Sequence, residues 1–433
     1  MIFFTCFGKL TLSLSLIATI ATAWTSHHIP VSSPRLDSLY LSARPSRGVE
    51  CSVGNLSTER REFLQNVATK TAAISLLLGG STVTPVLKLD SIGVANAAST
   101  LADAGSTYSK LYEPPAHSMD GKLVVITGGN TGLGLESAKR LAAAGATVVF
   151  TSRDEGKGQK ALDEIDAYLK EKSSDGDSPQ GKAIVVMLDL CDLDNIKSFD
   201  SRFENAVGKD AKIDVLMNNA GVMAIPDRRL TKDGYEKTFQ TNHLGHFALT
   251  STLLPYLSPD ARIINVSSMG YLFASKGLDV ENLNGEKEYG PWSSYGLSKL
   301  ENILFTNELQ KRASQSDKWS SLAVFSLHPG AVQTDLARYL IGEEKFQSMK
   351  ENGFSSWSDK VLMETLAKFV KTVQEGASTQ VYLAASKGIK AVDDGNFFVD
   401  GKATPVQPFA SDDEKAKELW TISEKLSGVK FEL

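Results

Sequence analysis

Short apolar runs alternate with amphipathic helical segments from residue 122 to residue 399, and this alternation restricts the fold more than any other feature. The run at 122–127 is almost continuously apolar, as expected for a strand buried on both faces of a sheet. Strands are predicted at 122–127, 147–151, 183–189, 213–217, 261–266, 321–327 and 396–399, and helices at 133–144, 155–172, 193–207, 235–257 and 292–313. Such alternation produces a parallel sheet with right-handed crossovers. We therefore predict an α/β fold, a doubly wound parallel sheet of the Rossmann type, in one domain at 120–433.

Composition excludes several classes of function. The chain has 433 residues, 42% of them hydrophobic and 22% charged, which is typical of a soluble globular domain. The formal net charge of −5 gives no basic patch, so no nucleic-acid partner is predicted. Cys191 is the only cysteine in 120–433, which excludes an intramolecular disulfide there. No spacing of Cys and His indicates a metal site.

Residues 1–23 have the pattern of a secretory signal peptide. Lys9 is the single cation, an apolar run covers 10–20, and Ala21-Thr22-Ala23 supplies small residues for cleavage. A membrane anchor is the alternative, although the run is short for a bilayer span.

Residues 24–59 have the composition of a transit peptide. They are rich in serine, have few acids and contain Arg35, Arg44 and Arg47. Together with 1–23, this segment resembles the bipartite plastid presequences of algae with complex plastids.

A third segment, 60–98, resembles a twin-arginine signal. Arg60-Arg61 precedes an apolar stretch at 71–80, and 94–98 offers an A-x-A cleavage site. The implied destination is the thylakoid lumen, with 99–119 as an N-terminal arm of the mature domain. The alternatives are the plastid stroma or the stromal membrane face, with the arginine pair inside a long transit peptide, and plain secretion.

The glycine loop at 128–134 predicts a dinucleotide site. Gly128, Gly132 and Gly134 lie between the first strand and the first helix, where glycine permits a tight turn and close approach to pyrophosphate. The helix N-terminus adds unpaired N–H groups and a positive dipole end. The cofactor-binding residues predicted in this loop are Gly128, Asn130, Thr131, Gly132, Leu133 and Gly134.

The end of the second strand favours NADP(H) over NAD(H). Arg153 can pair with a 2′-phosphate, whereas an NAD enzyme usually places a carboxylate at the strand end. Asp154 supports NAD(H) instead, because it lies about 20 residues after the glycine loop, where NAD enzymes place the acid that binds the ribose. We interpret Asp154 as the start of the following helix.

Later strand ends complete the predicted cofactor site. Asp189 and Leu190 would flank the adenine. Asn219, Ala220 and Gly221 would pack closely beside the cofactor, although the segment 218–221 taken alone is more simply a turn.

Tyr295 and Lys299 are four residues apart and therefore lie on one face of a predicted helix. An ammonium beside a phenol would lower the phenol pKa and allow proton exchange near neutral pH. Taken alone, the pair is more simply a surface helix pair.

The motifs together resemble the short-chain dehydrogenase/reductase family across about residues 120–430. Five motifs occur in the family order: T-G-x-x-x-G-x-G from Thr127, N-N-A-G from Asn218, the asparagine of Thr241-Asn242-His243, the serine of Val266-Ser267-Ser268, and Tyr295-x-x-x-Lys299. The segments 241–247, 327–330 and 418–423 resemble the retinol-dehydrogenase branch, which also contains relatives of light-dependent protochlorophyllide reductase.

The resemblance implies a role for each motif residue. Tyr295 would be the acid/base, Lys299 would lower its pKa and bind the nicotinamide ribose, and Ser268 would orient the substrate oxygen. Asn242 would hold a water that links Lys299 to solvent. The residues expected to close around the nicotinamide amide are Pro329, Gly330, Val332 and Thr334. His243 and His246 are expected to be structural.

The implied activity is interconversion of an alcohol and a carbonyl with NADP(H). The apolar segment 336–357 lies where this family builds a substrate lid, and it suggests a lipophilic substrate such as a retinoid, apocarotenoid or other isoprenoid. Packing within the lid explains the same residues. Peripheral membrane association and a homo-oligomer are further expectations.

Two other functions stay open. Protochlorophyllide-type C=C reduction usually has a Cys three residues after the Lys and a Lys directly after the Tyr, where this chain has Asn302 and Gly296. A non-catalytic NADP(H) sensor is the second alternative, and the complete Ser, Tyr, Lys and Asn set argues against it.

Replacing Arg60 and Arg61 by lysine tests the predicted destination. We expect the double variant to accumulate outside the thylakoid lumen when plastids are fractionated, because the twin-arginine route recognises the arginine pair. Arg44→Lys with Arg47→Lys is the matched control and should be delivered normally. Lumenal delivery of the Arg60/Arg61 variant would remove the twin-arginine assignment.

Overall fold

The computed structural model describes residues 111–172, 181–332, 371–387, 389 and 396–433. The predicted segments 1–23, 24–59 and 60–98 lie outside the described residues, as do the first part of the predicted arm (99–110), Thr334 and the predicted lid at 336–357.

Eight strands of the described residues form one sheet. They are β1 (Leu123–Ile126), β2 (Thr147–Ser152), β3 (Lys182–Met187), β4 (Ile213–Asn218), β5 (Leu257–Val266), β6 (Ala323–His328), β7 (Phe397–Val399) and β8 (Lys402–Ala403). The order is β3-β2-β1-β4-β5-β6-β7-β8, with β1 to β7 parallel and β8 antiparallel to β7. The predicted doubly wound parallel sheet is confirmed, and its strand order reverses between β1 and β4.

Helices cover both faces of this sheet. They are α1 (Gly132–Ala143), α2 (Glu155–Lys172), α3 (Leu193–Lys197), α4 (Phe199–Val207), α5 (Lys237–Phe239), α6 (Gly245–Leu253), α7 (Pro291–Ser314), α8 (Val373–Ala385) and α9 (Asp413–Ser427). Among the described helices, none combines the length and apolarity that a bilayer span requires.

Alternate residues of β1 enter two separate cores. Leu123 and Val125 belong to one apolar cluster, and Val124 and Ile126 belong to the cluster on the opposite face. Successive side chains of a strand point to opposite faces, so a strand covered on both sides needs apolar residues throughout. This requirement explains the continuous run in the sequence.

Two predicted helices differ from the structure. The helix predicted at 193–207 is two helices, because Ser198 interrupts it and its hydroxyl donates to the carbonyl of Asp194. The helix predicted at 235–257 begins only at Lys237, where the Glu236 carboxylate accepts the first N–H groups.

The helix predicted at 235–257 is also irregular, and it ends before residue 257. A π-helical segment at Gln240–Leu244 joins α5 to α6, and a 3₁₀ turn at Leu254–Tyr256 ends it. Leu257 pairs with Ile213 of β4, so β5 starts at Leu257, before the predicted residue 261.

Three elements near the C-terminal end were not predicted: β8, α8 and α9. Capping signals mark both helices. Thr372 and Glu375 form a capping box at the start of α8. Asp412 caps α9, and Gly428 ends it in a left-handed conformation.

The end of the predicted N-terminal arm is part of the fold. The buried guanidinium of Arg140 donates to the carbonyls of Tyr112 (3.2 Å) and Gln374 (3.0 Å). The Tyr112 ring also packs edge-on against Tyr382 of α8. Arg140 therefore joins residues 111–119 to α1 and α8.

Candidate active site

The glycine loop lies at the carboxyl edge of the sheet, beside the point where strand order reverses. Gly128 and Gly132 have φ of 65° and 56°, in the left-handed region that favours glycine. A Cβ on Gly134 would lie 2.5 Å from the Gly128 carbonyl oxygen and 2.6 Å from Nδ2 of Asn219. Glycine is thus favoured by the backbone conformation at 128 and 132 and required by packing at 134.

The turn after β4 is tied directly to this loop. Nδ2 of Asn219 donates to the Thr127 carbonyl (2.8 Å), and the N–H groups of Asn219 and Ala220 donate to the Thr127 hydroxyl (2.9 and 3.0 Å). Gly221 follows, and a Cβ there would lie 3.2 Å from Oδ1 of Asn242. The N-N-A-G motif therefore connects the loop to the Asn242 region.

The start of α1 fits a pyrophosphate. Thr131 occupies the N-cap position, but its side chain makes no capping hydrogen bond, and the first turn contains no acidic residue. Its N-terminal N–H groups and positive dipole end are not neutralised by an acidic side chain of that turn. Asn130 and Leu133 lie on either side of the cap, and their predicted contacts with the cofactor phosphates stay a prediction.

Arg153 and Asp154, which follow β2, differ in their contacts. Oδ1 of Asp154 accepts the Lys157 N–H at 2.8 Å, which caps the start of α2. The interpretation of Asp154 as the helix start is confirmed. Arg153 is exposed at the strand end.

Asp189 and Leu190 follow β3 at the same edge of the sheet. The Asp189 carboxylate accepts the Cys191 N–H at 2.9 Å, and the Asp189 N–H donates to Asn195 at 3.0 Å. These bonds fix the turn that the sequence assigns to the adenine.

Tyr295 and Lys299 lie on one face of α7 and are both buried. Nζ of Lys299 is 5.6 Å from the centroid of the Tyr295 ring and donates to the Val266 carbonyl at 2.9 Å. Asn302 donates to the same carbonyl at 3.2 Å. The end of β5 therefore positions the ammonium.

The expected direction of the phenol pKa is wrong for this geometry. Burial raises the pKa of Tyr295, and the nearby Ser268 hydroxyl opposes that change by lowering it. Burial also lowers the pKa of Lys299 to about 8. Desolvation disfavours the charged form of each group, and it is the largest cause of each change.

Ser268 follows β5 and faces the same phenol. Its hydroxyl accepts the Gly270 N–H at 2.9 Å and so caps a 3₁₀ turn at Met269–Ala274. A Cβ on Gly270 would lie 2.8 Å from the Tyr295 ring. Glycine at 270 allows the ring to approach Ser268, and the structure brings the predicted serine and tyrosine together.

Asn242 lies in the π-helical segment, and its side chain acts as a clamp. Oδ1 accepts the Val222 N–H (2.8 Å), while Nδ2 donates to the Val222 carbonyl and to Oγ of Ser298 (both 2.9 Å). Both amide hydrogens are thereby donated to protein atoms. The side chain holds the turn after β4 against α7, beside Lys299.

Pro329, Gly330 and Val332 follow β6 at this edge. Gly330 has φ of 94°, and a Cβ there would lie 2.7 Å from the Lys371 side chain. Val332 forms a parallel bridge with Lys371, whose ammonium pairs with Asp400. Sequence reasoning missed Lys371 and Asp400, because no motif marks them.

Gln380 of α8 is a second residue that the sequence did not indicate. Its Nε2 lies within 3.3 Å of three oxygen atoms: the Leu133 carbonyl, Oγ of Ser137 and Oδ1 of Asn219. This buried amide joins the first turn of α1 to the N-N-A-G turn.

The two histidines of the motif are buried and neutral at pH 7. Burial lowers the pKa of His243 to about 3 and that of His246 to about 4. His243 contacts Ser423 of α9 at 2.9 Å, which agrees with the structural role expected for it.

Comparisons with known proteins agree with this geometry. Residues 122–345 match the short chain dehydrogenase family. Retinol dehydrogenase 12 of Homo sapiens is 36% identical over 316 residues, which cover 72% of this chain and 89% of that protein. Retinol dehydrogenase 13 of Homo sapiens is 33% identical over 353 residues, which cover 79% and 95%. The crystal structure of an uncharacterised protein from Mycobacterium paratuberculosis matches with a TM-score of 0.54 and 34% identity, covering 75% of this chain and 100% of that one.

Alanine substitutions at two glycines near helix starts test whether the glycine loop binds the cofactor. Gly134→Ala should weaken dinucleotide binding at least about tenfold, because the new Cβ meets backbone and amide atoms that cannot move cheaply. Gly156→Ala is the control, since its Cβ would meet only Oδ1 of Asp154 at 3.5 Å. Quenching of intrinsic fluorescence by NADPH measures both. Equal affinities would contradict the assigned loop.

Proposed function

The chain belongs to the short-chain dehydrogenase family, in its retinol-dehydrogenase-like branch, and on that premise we propose that it interconverts an alcohol and a carbonyl on a lipophilic molecule with NADP(H). Family membership makes the chain an oxidoreductase that binds a nicotinamide cofactor. The choice of NADP(H), the substrate class and the residue roles are the proposal.

One observation carries the proposal: a buried phenol, a serine hydroxyl and a buried ammonium meet beside the glycine loop. Tyr295 and Lys299 come from α7, whereas Ser268 comes from the end of β5. A substrate carbonyl oxygen has two lone pairs and can accept hydrogen bonds from both hydroxyl groups.

Tyr295 acts as the acid when a carbonyl is reduced. Its raised pKa keeps the phenol protonated at neutral pH, so a proton is available at Oη for the substrate oxygen. Ser268 orients that oxygen. When bound, the nicotinamide supplies the hydride in reduction and accepts it in oxidation.

Lys299 is the residue that we propose returns the proton to Tyr295. With a pKa of about 8, its Nζ is mainly protonated at pH 7 and can still release a proton. Asn242 holds the turn after β4. Gly221 of that turn lies next to both the Asn242 amide and the Lys299 ammonium, so the turn passes beside the ammonium.

NADP(H) is supported by the different uses of two neighbouring residues. The Asp154 carboxylate is committed to the start of α2, whereas Arg153 is exposed beside it. A guanidinium binds a phosphate well, and a capping carboxylate is poorly placed to select a ribose diol.

A lipophilic substrate is supported by the apolar surroundings of the phenol. Met223, Ala224 and Tyr295 form one buried cluster, and Trp292 packs against it. The Trp292 ring also lies 5.7 Å from that of Phe273. Such walls would select apolar molecules over polar ones.

Position 296 argues against protochlorophyllide-type C=C reduction. A Cβ on Gly296 would lie 2.7 Å from both the Gly270 carbonyl oxygen and Cβ of Phe273. The lysine typical of that subgroup would therefore not fit at this position. Asn302 is also held by the Val266 carbonyl.

Tyr295→Phe tests the assigned acid. With NADPH and a panel of apolar aldehydes, we expect turnover to fall about 100-fold or more, while NADPH affinity is retained. Tyr256→Phe is the control, because its hydroxyl contacts Glu204 far from this edge of the sheet.

Several outcomes of the same assay would contradict the proposal. Turnover that survives Tyr295→Phe would remove the assigned acid. NADPH binding without turnover of any aldehyde would favour a sensor, and light-driven protochlorophyllide reduction would favour C=C chemistry.

Arg153→Ala tests cofactor choice. We expect NADPH binding to weaken about tenfold or more and NADH binding to stay the same, because only NADPH carries the 2′-phosphate. Lys160→Ala removes an equal charge from the exposed face of α2 and should change neither. Equal losses for both cofactors with Arg153→Ala would refute the phosphate contact.

A further inference from the structure

We propose that His246 is a positioning residue that couples the cofactor loop to the Asn242 clamp through the hydroxyl of Thr127. The inference rests on the proposed function and adds a residue that the proposed mechanism does not use. His246 is fully enclosed at the start of α6, between β1 and the π-helical segment.

Two contacts engage both nitrogens of the ring. Nδ1 lies 3.1 Å from the Asn242 carbonyl oxygen, and Nε2 lies 2.9 Å from the Thr127 hydroxyl. The first contact is with the backbone of the residue whose side chain clamps Val222 to Ser298. The second is with the last residue before the glycine loop.

The chemistry of these partners sets the direction of each hydrogen bond. A carbonyl oxygen can only accept, so Nδ1 carries the hydrogen. Burial keeps the ring neutral, with the nearby Lys299 charge acting in the same direction, and Nε2 must therefore accept. The Thr127 hydroxyl donates its single hydrogen to Nε2 at 2.9 Å, which is nearer than the other acceptor within reach, the Met217 carbonyl oxygen at 3.4 Å.

This direction leaves the oxygen of Thr127 free to accept. It receives the N–H groups of Asn219 and Ala220, at 2.9 and 3.0 Å. A hydroxyl that pointed its hydrogen at those donors could not accept both bonds. His246, as the nearer of the two acceptors, thus holds the Thr127 hydroxyl in an orientation that leaves its oxygen open to both N–H groups.

The complete chain of hydrogen bonds runs from cofactor site to catalytic site. It begins at the turn of Asn219 and Ala220, passes through Thr127 and His246, and ends at Asn242. The two bonds of His246 are buried and those of Asn219 and Ala220 are partly buried, so an unmade partner at His246 would carry the larger desolvation cost. These bonds fix the distance between the turn of Asn219 and Ala220, on the cofactor side, and Asn242, on the catalytic side.

Separate variants remove the His246–Thr127 bond alone or both hydrogen bonds of the His246 ring. His246→Asn keeps a donor near the position of Nδ1 and loses the acceptor for Thr127. His246→Leu loses both. Thr127→Val loses the hydroxyl at nearly constant volume, and Thr127→Ser retains it. Thr252→Val, in the same helix, is the control, because its hydroxyl only contacts the Ala248 carbonyl.

NADPH binding and turnover of an apolar aldehyde by the full chain are then compared. For His246→Asn and Thr127→Val we expect the Kd for NADPH to rise about fivefold to tenfold, with kcat at saturating NADPH close to wild type. His246→Leu should raise the Kd and lower kcat. Thr127→Ser should restore binding, and Thr252→Val should change neither quantity.

Comparing a double variant with the single variants distinguishes this role from a general loss of stability. The Thr127→Val/His246→Leu double variant should bind NADPH no more weakly than Thr127→Val alone, because Thr127→Val already removes the hydroxyl that His246 orients. Multiplied losses, wild-type Kd in Thr127→Val, or failure of Thr127→Ser to restore binding would each overturn the inference. Failure of the wild-type chain to bind NADPH would instead refute the proposed function, and this inference with it.

Discussion

Complete burial of the central strands is the constraint on which the rest of the structure depends. Val124 and Val125 enter opposite cores, so neither face of β1 can present a polar group to a ligand. Chemistry is restricted to the strand ends, where backbone groups leave the sheet. Thr127, Asn219 and Ser268 each follow the end of a strand at the same edge. The site exists there because the two faces of the sheet are fully covered.

Close approach of backbone to backbone then decides which residues are allowed at that edge. Gly134 leaves room for the Gly128 carbonyl and the Asn219 amide, and Gly270 leaves room for the Tyr295 ring. Hydrogen bonds then hold these closely packed segments together. Lys299 is bound by the Val266 carbonyl, and Asn242 clamps two segments. The same packing that positions Tyr295 and Lys299 also desolvates them, which explains why the pKa of the phenol is raised and that of the ammonium is lowered.

The sequence predicted those parts of the site that depend on local chemistry. Glycines in a strand–loop–helix context, the i, i+4 spacing of Tyr295 and Lys299, and Asp154 at a helix start are all readable from neighbouring residues. The rest depends on contacts between distant segments. Gln380 reaches the glycine loop from α8, and Lys371 covers Gly330, without any motif to announce either. The direction of the Tyr295 pKa was wrong because the sequence shows the nearby charge and hides the degree of burial.

The central claim is that this edge of the sheet directs a hydride to a carbonyl carbon. The most direct measurement follows deuterium from NADPH labelled at the transferable C4 position into an apolar aldehyde, by mass spectrometry and NMR of the product. The account predicts one deuterium, on the carbon that bears the new hydroxyl. Deuterium at a former carbon–carbon double bond, or a product without deuterium, would contradict it.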